Sequence, residues 1–195
     1  MLRPPAAAIA RLWLHLEPEG PPLPSGPVVV AANHFSHVDG VMVGIAARRP
    51  IRFLAVDELF GRSRLFDSFI GRVGAIPVSR TRAPLGALRT ALADLAAGET
   101  IGVFPEGERV WEWGERPAKR GAAWLARRAG VPLVPVTLIG TDLVMGREAT
   151  RPRRASVRAV RGAPIHPGDF EREPDPVTAM TAEWVRRVGE AISRA

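Results

Sequence analysis

A chain of 195 residues with 46% hydrophobic and 24% charged side chains is long enough for one substantial core and falls among globular proteins. No run of eighteen apolar residues is present, which speaks against a membrane-spanning helix; the absence of cysteine excludes disulfides and fits a cytoplasmic protein. The net charge of +7 suits an anionic membrane surface or nucleic acid, but the arginines are interleaved with acids and tyrosine is absent, so nucleic acid is not an expected partner.

In chain order, Ile9, Leu12, Trp13 and Leu16 share one helical stripe with Arg11 and His15 off it. That pattern suits either packing on the core or lying on anionic lipid. No small-residue cleavage site follows it, which argues against a cleaved secretory signal. Five prolines between Glu17 and Pro27 read as a stiff, extended connection. Residues 1–26 are therefore expected to be an amphipathic helix and its connection, ahead of a single domain over 27–195.

Short apolar runs of strand length follow at Pro27 to Ala32, Ile51 to Val56, Ala75 to Val78, Thr100 to Phe104, Leu133 to Ile139 and Ser156 to Val160. Leu85, Leu88, Leu92 and Leu95 fall on one helical face, and an alanine-rich helix follows Lys119-Arg120-Gly121. Thr141 to Arg154 is polar and basic with little periodicity and reads as a mobile loop. In the last segment Val177, Met180, Trp184, Val188 and Ile192 share a face, and Asp175-Pro176 supplies an N-cap carboxylate and a first-turn proline. Strands alternating with helices predict an α/β fold, a single domain with a largely parallel, mixed β-sheet covered by helices on both faces.

Directly after the first strand stands Asn33-His34-Phe35-Ser36-His37-Val38-Asp39. Five residues along a regular helix turn through about 140° past one full turn, so His34 and Asp39 can touch only if the backbone between them bends. A strand ending in a turn that enters a helix near Asp39 would allow it. Asp39 would then fix one ring nitrogen and leave the other as the acceptor that a general base needs. Ser36 reads as a turn residue whose hydroxyl bonds nearby backbone. There is no Gly-x-Ser-x-Gly elbow and no cysteine, so a covalent serine or cysteine nucleophile is not suggested.

Three further segments follow in order: Gly74-Ala75-Ile76-Pro77-Val78-Ser79-Arg80, then Phe104-Pro105-Glu106-Gly107-Glu108-Arg109, then Val131-Pro132-Leu133-Val134-Pro135-Val136. With the His-x4-Asp segment they make an ordered set of four over Asn33 to Val136 that resembles the glycerolipid acyltransferase family. That resemblance implies a glycerol-3-phosphate acyltransferase-like fold. It implies transfer of a fatty acyl group from a thioester, acyl-coenzyme A or acyl carrier protein, to a hydroxyl of a lysophospholipid such as 1-acylglycerol-3-phosphate. His34 would be the general base and Asp39 its orienting acid. Arg80, Glu106, Gly107 and Arg109 match positions that contact the acceptor, and Lys119 matches a basic position after the third segment. No cofactor is expected beyond the thioester co-substrate. The expected partners are the donor, a glycerolipid acceptor and the inner face of the cell membrane, visited peripherally.

Guanidinium groups at Arg80 and Arg109 suit a phosphate, which each can grip with two parallel hydrogen bonds. Gly107 suits a tight turn close to a ligand. Glu108 departs from the family, which commonly has threonine there; it either pairs with a local arginine or marks a different acceptor. A metal at His34, His37 and Asp39 is disfavoured, because the spacing matches no zinc-hydrolase pattern.

Overall fold

Five consecutive small or β-branched apolar residues at Val28–Ala32 suit a strand buried on both faces. The structure is a computed structural model in which residues 16–56, 74–79 and 85–195 are described, and there this segment is a fully buried inner strand. The strands are β1 (Leu16–Glu19), β2 (Val28–Ala32), β3 (Arg52–Val56), β4 (Ile76–Val78), β5 (Thr100–Val103), β6 (Leu133–Ile139) and β7 (Val157–Arg161). They form one sheet in the order β1-β7-β6-β2-β5-β3-β4. Strands β2 to β6 run parallel to one another, β7 is antiparallel to β6, and β1 is parallel to β7. The expected α/β fold with a largely parallel, mixed sheet is therefore what forms.

The helices are α1 (Asp39–Ala47), α2 (Leu85–Ala96), α3 (Gly121–Ala129), α4 (Thr141–Met145) and α5 (Pro176–Ser193), with a 3-10 turn at Pro167–Phe170. Because side chains alternate along a strand, β2 feeds two cores. Val29 and Ala31 pack with α2, α3 and α5, centred on Leu95, Leu125, Met180 and Trp184. Val28, Val30 and Ala32 pack with α1 through Met42, Val43 and Ala46. Helix α5 starts as its sequence dictates: the Asp175 side chain accepts a hydrogen bond from Thr178 N, with Pro176 in the first turn.

Three expectations change. Leu16, placed at the end of a helical stripe, is instead the first residue of β1, and the proline-rich connection begins as a strand. Pro18 hid it, because proline cannot donate to a ladder; β1 lies at the edge of the sheet, where that loss is tolerated. In α2 Leu95 is buried and Leu88 and Leu92 pack partly buried against the same core, as expected, but Ala87 and Ala91 are buried with them and Leu85 is exposed. The stretch expected as a loop over Thr141 to Arg154 opens as α4, and Arg153 N returns to donate to Val144 O at 2.8 Å. Ile9, Leu12 and Trp13 lie outside the described residues. Among the described residues no helix is long and apolar enough to cross a membrane.

Parallel order puts the carboxyl ends of β2, β5 and β6 side by side. Ligands of open α/β sheets bind at that end.

Candidate active site

Where β2 stops, a side chain continues its ladder. Asn33 is fully buried, its Nδ2 donates to Leu138 O at 2.9 Å and its Oδ1 accepts from Leu138 N at 2.7 Å. This amide clamp lets the backbone leave the sheet at His34 without orphaning the facing groups of β6. The chain then bends through Ser36 and enters α1 at Asp39.

The bend is held from its far end. Asp39, with no exposed surface, accepts from Phe35 N and Ser36 N, each at 2.7 Å, and lies 2.8 Å from His34 Nδ1, all through Oδ2. A carboxylate can only accept, so the proton of a neutral His34 sits on Nδ1 and Nε2 presents its lone pair. Ser36 ties the turn outward: its hydroxyl donates to Met145 O at 2.7 Å and accepts from Val38 N at 3.3 Å. His37 N also donates to Met145 O, at 3.0 Å. The segment expected to be loose is thus a wall of the site.

The loop after β5 supplies the other wall. Phe104 stacks on the His34 ring at 4.0 Å between centroids and 15° between planes, and Phe53 stacks on Phe104 at 5.3 Å and 11°. Phe53, at the far end of the stack, rests over Gly102, whose added Cβ would lie 2.4 Å from Phe53 Cε1. Glycine inside a strand weakens it, and here the close approach of the ring requires it. His34 retains 17% side-chain exposure, so it is shielded yet reachable.

Glu106 comes next and is buried. Its Oε1 accepts from His34 N at 3.4 Å, while Oε2 is buried without a hydrogen-bond partner. Burial pushes this carboxyl up to about 7; its hydrogen bonds with backbone amides pull the other way, and the nearby Asp39 charge adds to the rise. Gly107 turns the loop at φ +77°, with its N–H donating to Phe104 O at 2.9 Å. The Lys119 ammonium packs against it so closely that a Cβ there would lie 2.5 Å from Nζ. Val110 N donates to His34 O at 2.9 Å and Lys119 N to Pro105 O at 2.8 Å, which lock the two loops together. Arg109 is half-buried, and its charge helps to lower the His37 pKa, a shift caused first by burial.

The structure thus brings His34, Asp39, Glu106, Gly107, Arg109 and Lys119 to neighbouring loops at one end of the sheet. Arg80 lies outside the described residues; β4, which leads to it, ends at the same edge. Glu108 pairs with Arg116 at 2.7 Å, the first of its two expected arrangements. The Asn33 clamp and the Phe104–Phe53 stack were not anticipated from sequence. Gly102 inside an apolar strand was the one available signal of the stack.

Comparison with known proteins bears on this geometry. The family model described as Acyltransferase matches residues 15–139. A 1-acyl-sn-glycerol-3-phosphate acyltransferase of Bacillus subtilis is 31% identical over 175 residues, 88% of this chain and 84% of the relative. One of Chlamydomonas reinhardtii is 32% identical over 152 residues, 75% of this chain and 45% of the longer relative. The crystal structure of the 1-acyl-sn-glycerophosphate acyltransferase PlsC from Thermotoga maritima superposes with a TM-score of 0.76 at 25% identity, covering 95% of this chain and 76% of that one.

Proposed function

The chain belongs to the acyltransferase family and is an O-acyltransferase, and we propose that it moves a fatty acyl group from an acyl thioester to the free hydroxyl of 1-acylglycerol-3-phosphate. The observation that carries this reading is the His34 Nδ1 to Asp39 Oδ2 contact of 2.8 Å, which leaves Nε2 as a base at the mouth of the site.

In the proposed reaction Nε2 takes the proton of the acceptor hydroxyl as its oxygen attacks the thioester carbonyl. A C–O bond forms and the carbonyl becomes a tetrahedral oxyanion. Collapse breaks the C–S bond and expels the thiolate, which recovers the proton from the imidazolium and leaves as thiol. Asp39 stabilises the positive ring while it exists, and the Phe104 face beneath it is electron-rich and acts in the same direction. Arg109 and Lys119, with Arg80, would meet the acceptor phosphate. Glu106, adjacent to both, would accept a hydrogen bond from the glycerol backbone of the acceptor.

The donor carrier is coenzyme A or acyl carrier protein, each of which presents its acyl group as a thioester. The acceptor is a lipid, so the enzyme would work peripherally at the inner face of the membrane. The test is thiol release from acyl-coenzyme A, then from acyl carrier protein, in the presence of 1-acylglycerol-3-phosphate. Acceptor-dependent release that falls by about 10²–10⁴-fold in His34→Ala is expected. Release from neither donor, or release indifferent to His34, would overturn the reading.

A further inference from the structure

Five large apolar side chains of the described residues stand in water, and two of them flank the site. Leu85, Trp124 and Val185 sit singly on α2, α3 and α5, as isolated surface hydrophobics commonly do. Trp111, 57% exposed, and Leu143, 64% exposed, are placed differently. Trp111 follows Val110, whose amide holds the His34 carbonyl. Leu143 lies two residues before Met145, whose carbonyl holds Ser36 and His37.

The two segments are joined across the mouth. The Arg147 guanidinium lies 5.8 Å from the Trp111 ring centroid and 3.7 Å from Glu115, whose Oε2 also accepts from Trp111 N at 2.5 Å. The arginine lies within cation–π reach of the ring and attracts it weakly. Beyond Arg147 the chain carries Arg151, Arg153 and Arg154 against a single acid, Glu148, and the three later arginines are exposed. The hydrogen bond from Arg153 N to Val144 O draws that basic run alongside Leu143.

We propose that Trp111 and Leu143, bordered by Arg147 to Arg154, form a docking surface that seats the mouth of the site on an anionic lipid bilayer. The proposal rests on the lipid-acceptor reading above. Tryptophan is enriched where one end of a side chain is apolar and the other wet, and arginines beside it are attracted to anionic headgroups. An acidic protein would satisfy the arginines but gives no reason for two apolar tips in water. Bilayer contact at this rim also brings a membrane-held acceptor to His34 without releasing its acyl tail to solvent.

The test is flotation of the full chain with vesicles of phosphatidylglycerol and phosphatidylcholine, and with phosphatidylcholine alone. Trp111→Ser with Leu143→Ser should weaken vesicle binding at least about tenfold, and Arg151→Gln with Arg153→Gln should abolish the preference for phosphatidylglycerol. Quenching of tryptophan fluorescence by brominated lipid should be strong in the native chain and weaker in Trp111→Phe. Acyl transfer to a short-chain, monodisperse acceptor reports separately on the functional reading and should survive in the apolar double variant. Vesicle binding unchanged in both double variants would overturn the proposal, as would a defect confined to an acyl-carrier-protein donor, which would make the surface a protein site. If the native chain transfers no acyl group but still loses vesicle binding through these substitutions, the functional reading falls and the docking surface stands.

Discussion

Two buried carboxylates meet the same histidine from loops on adjacent parallel strands, and the protein surrounds them in opposite ways. Asp39 receives three N–H groups on one oxygen, two of them backbone amides brought within reach by the turn it closes. Glu106 receives one long bond from His34 N on Oε1, and the second oxygen of each carboxylate, Asp39 Oδ1 and Glu106 Oε2, is buried with no hydrogen-bond partner. Chemical type is the same and burial is nearly the same, so the difference lies in donors. Asp39 is organised to accept from the ring and hold it; Glu106, with a single long bond to offset its burial, is pushed up to about 7. Separate environments give paired carboxyl groups separate tasks.

The most damaging way to break this contrast is Asp39→Asn. A carboxamide that turns its NH₂ towards Nδ1 forces that nitrogen to accept, which moves the ring proton to Nε2 and removes the proposed base. Thiol release should fall by about 10²–10⁴-fold. Urea unfolding should show a stability loss of about 1–3 kcal/mol if the amides of Phe35 and Ser36 lose their acceptor. Full activity in Asp39→Asn would mean that the turn, not the charge, is what matters.

Glu106→Gln probes the other carboxylate through pH. Its pKa is raised on folding, so between about 4.5 and 7 the native state holds the proton that the unfolded chain has released. Stability therefore declines as pH rises through that window, by about 3 kcal/mol in full, and stays at the lower level above it. Glutamine carries no such charge. Its unfolding free energy should lack this slope, and above pH 7 the variant should be the more stable protein; parallel pH profiles for the two would remove the contrast.

Smaller effects sharpen the picture. Phe104→Leu keeps the volume approximately but loses the ring against His34, and kcat should drop several-fold, about 1 kcal/mol, with KM and melting temperature little changed. Phe104→Trp should restore most of it. Smallest is Glu108→Thr, which removes a partly exposed ion pair to Arg116 and should cost less than about 1 kcal/mol by denaturant unfolding. A changed acceptor preference in that variant would give Glu108 a role besides the ion pair.

Among the described residues, six of the seven strands were legible because each is a short run of apolar residues, and the period-2 alternation of β2 names which residues go to which core. The strand that escaped, β1, has glutamate and proline in place of an apolar run and is defined by its pairing with β7. In α2 three of the four leucines face the core as their spacing indicates, but Ala87 and Ala91 are buried beside them, and a pattern keyed to large side chains overlooks alanine. The loop over Thr141 to Arg154 looked unstructured because its order comes from Ser36 and His37, more than a hundred residues earlier in the chain.

By itself the sequence determined the parallel α/β plan, the pairing of His34 with Asp39 and the segments that meet at one end of the sheet. These are local matters of periodicity, turn chemistry and order along the chain. The tertiary structure alone decided that Asn33 would clamp β6, that Phe104 would floor the histidine, and that Glu106 would be buried with one long hydrogen bond while a single oxygen of Asp39 gathered three. Burial and donor count depend on groups far apart in sequence, and no local pattern encodes them.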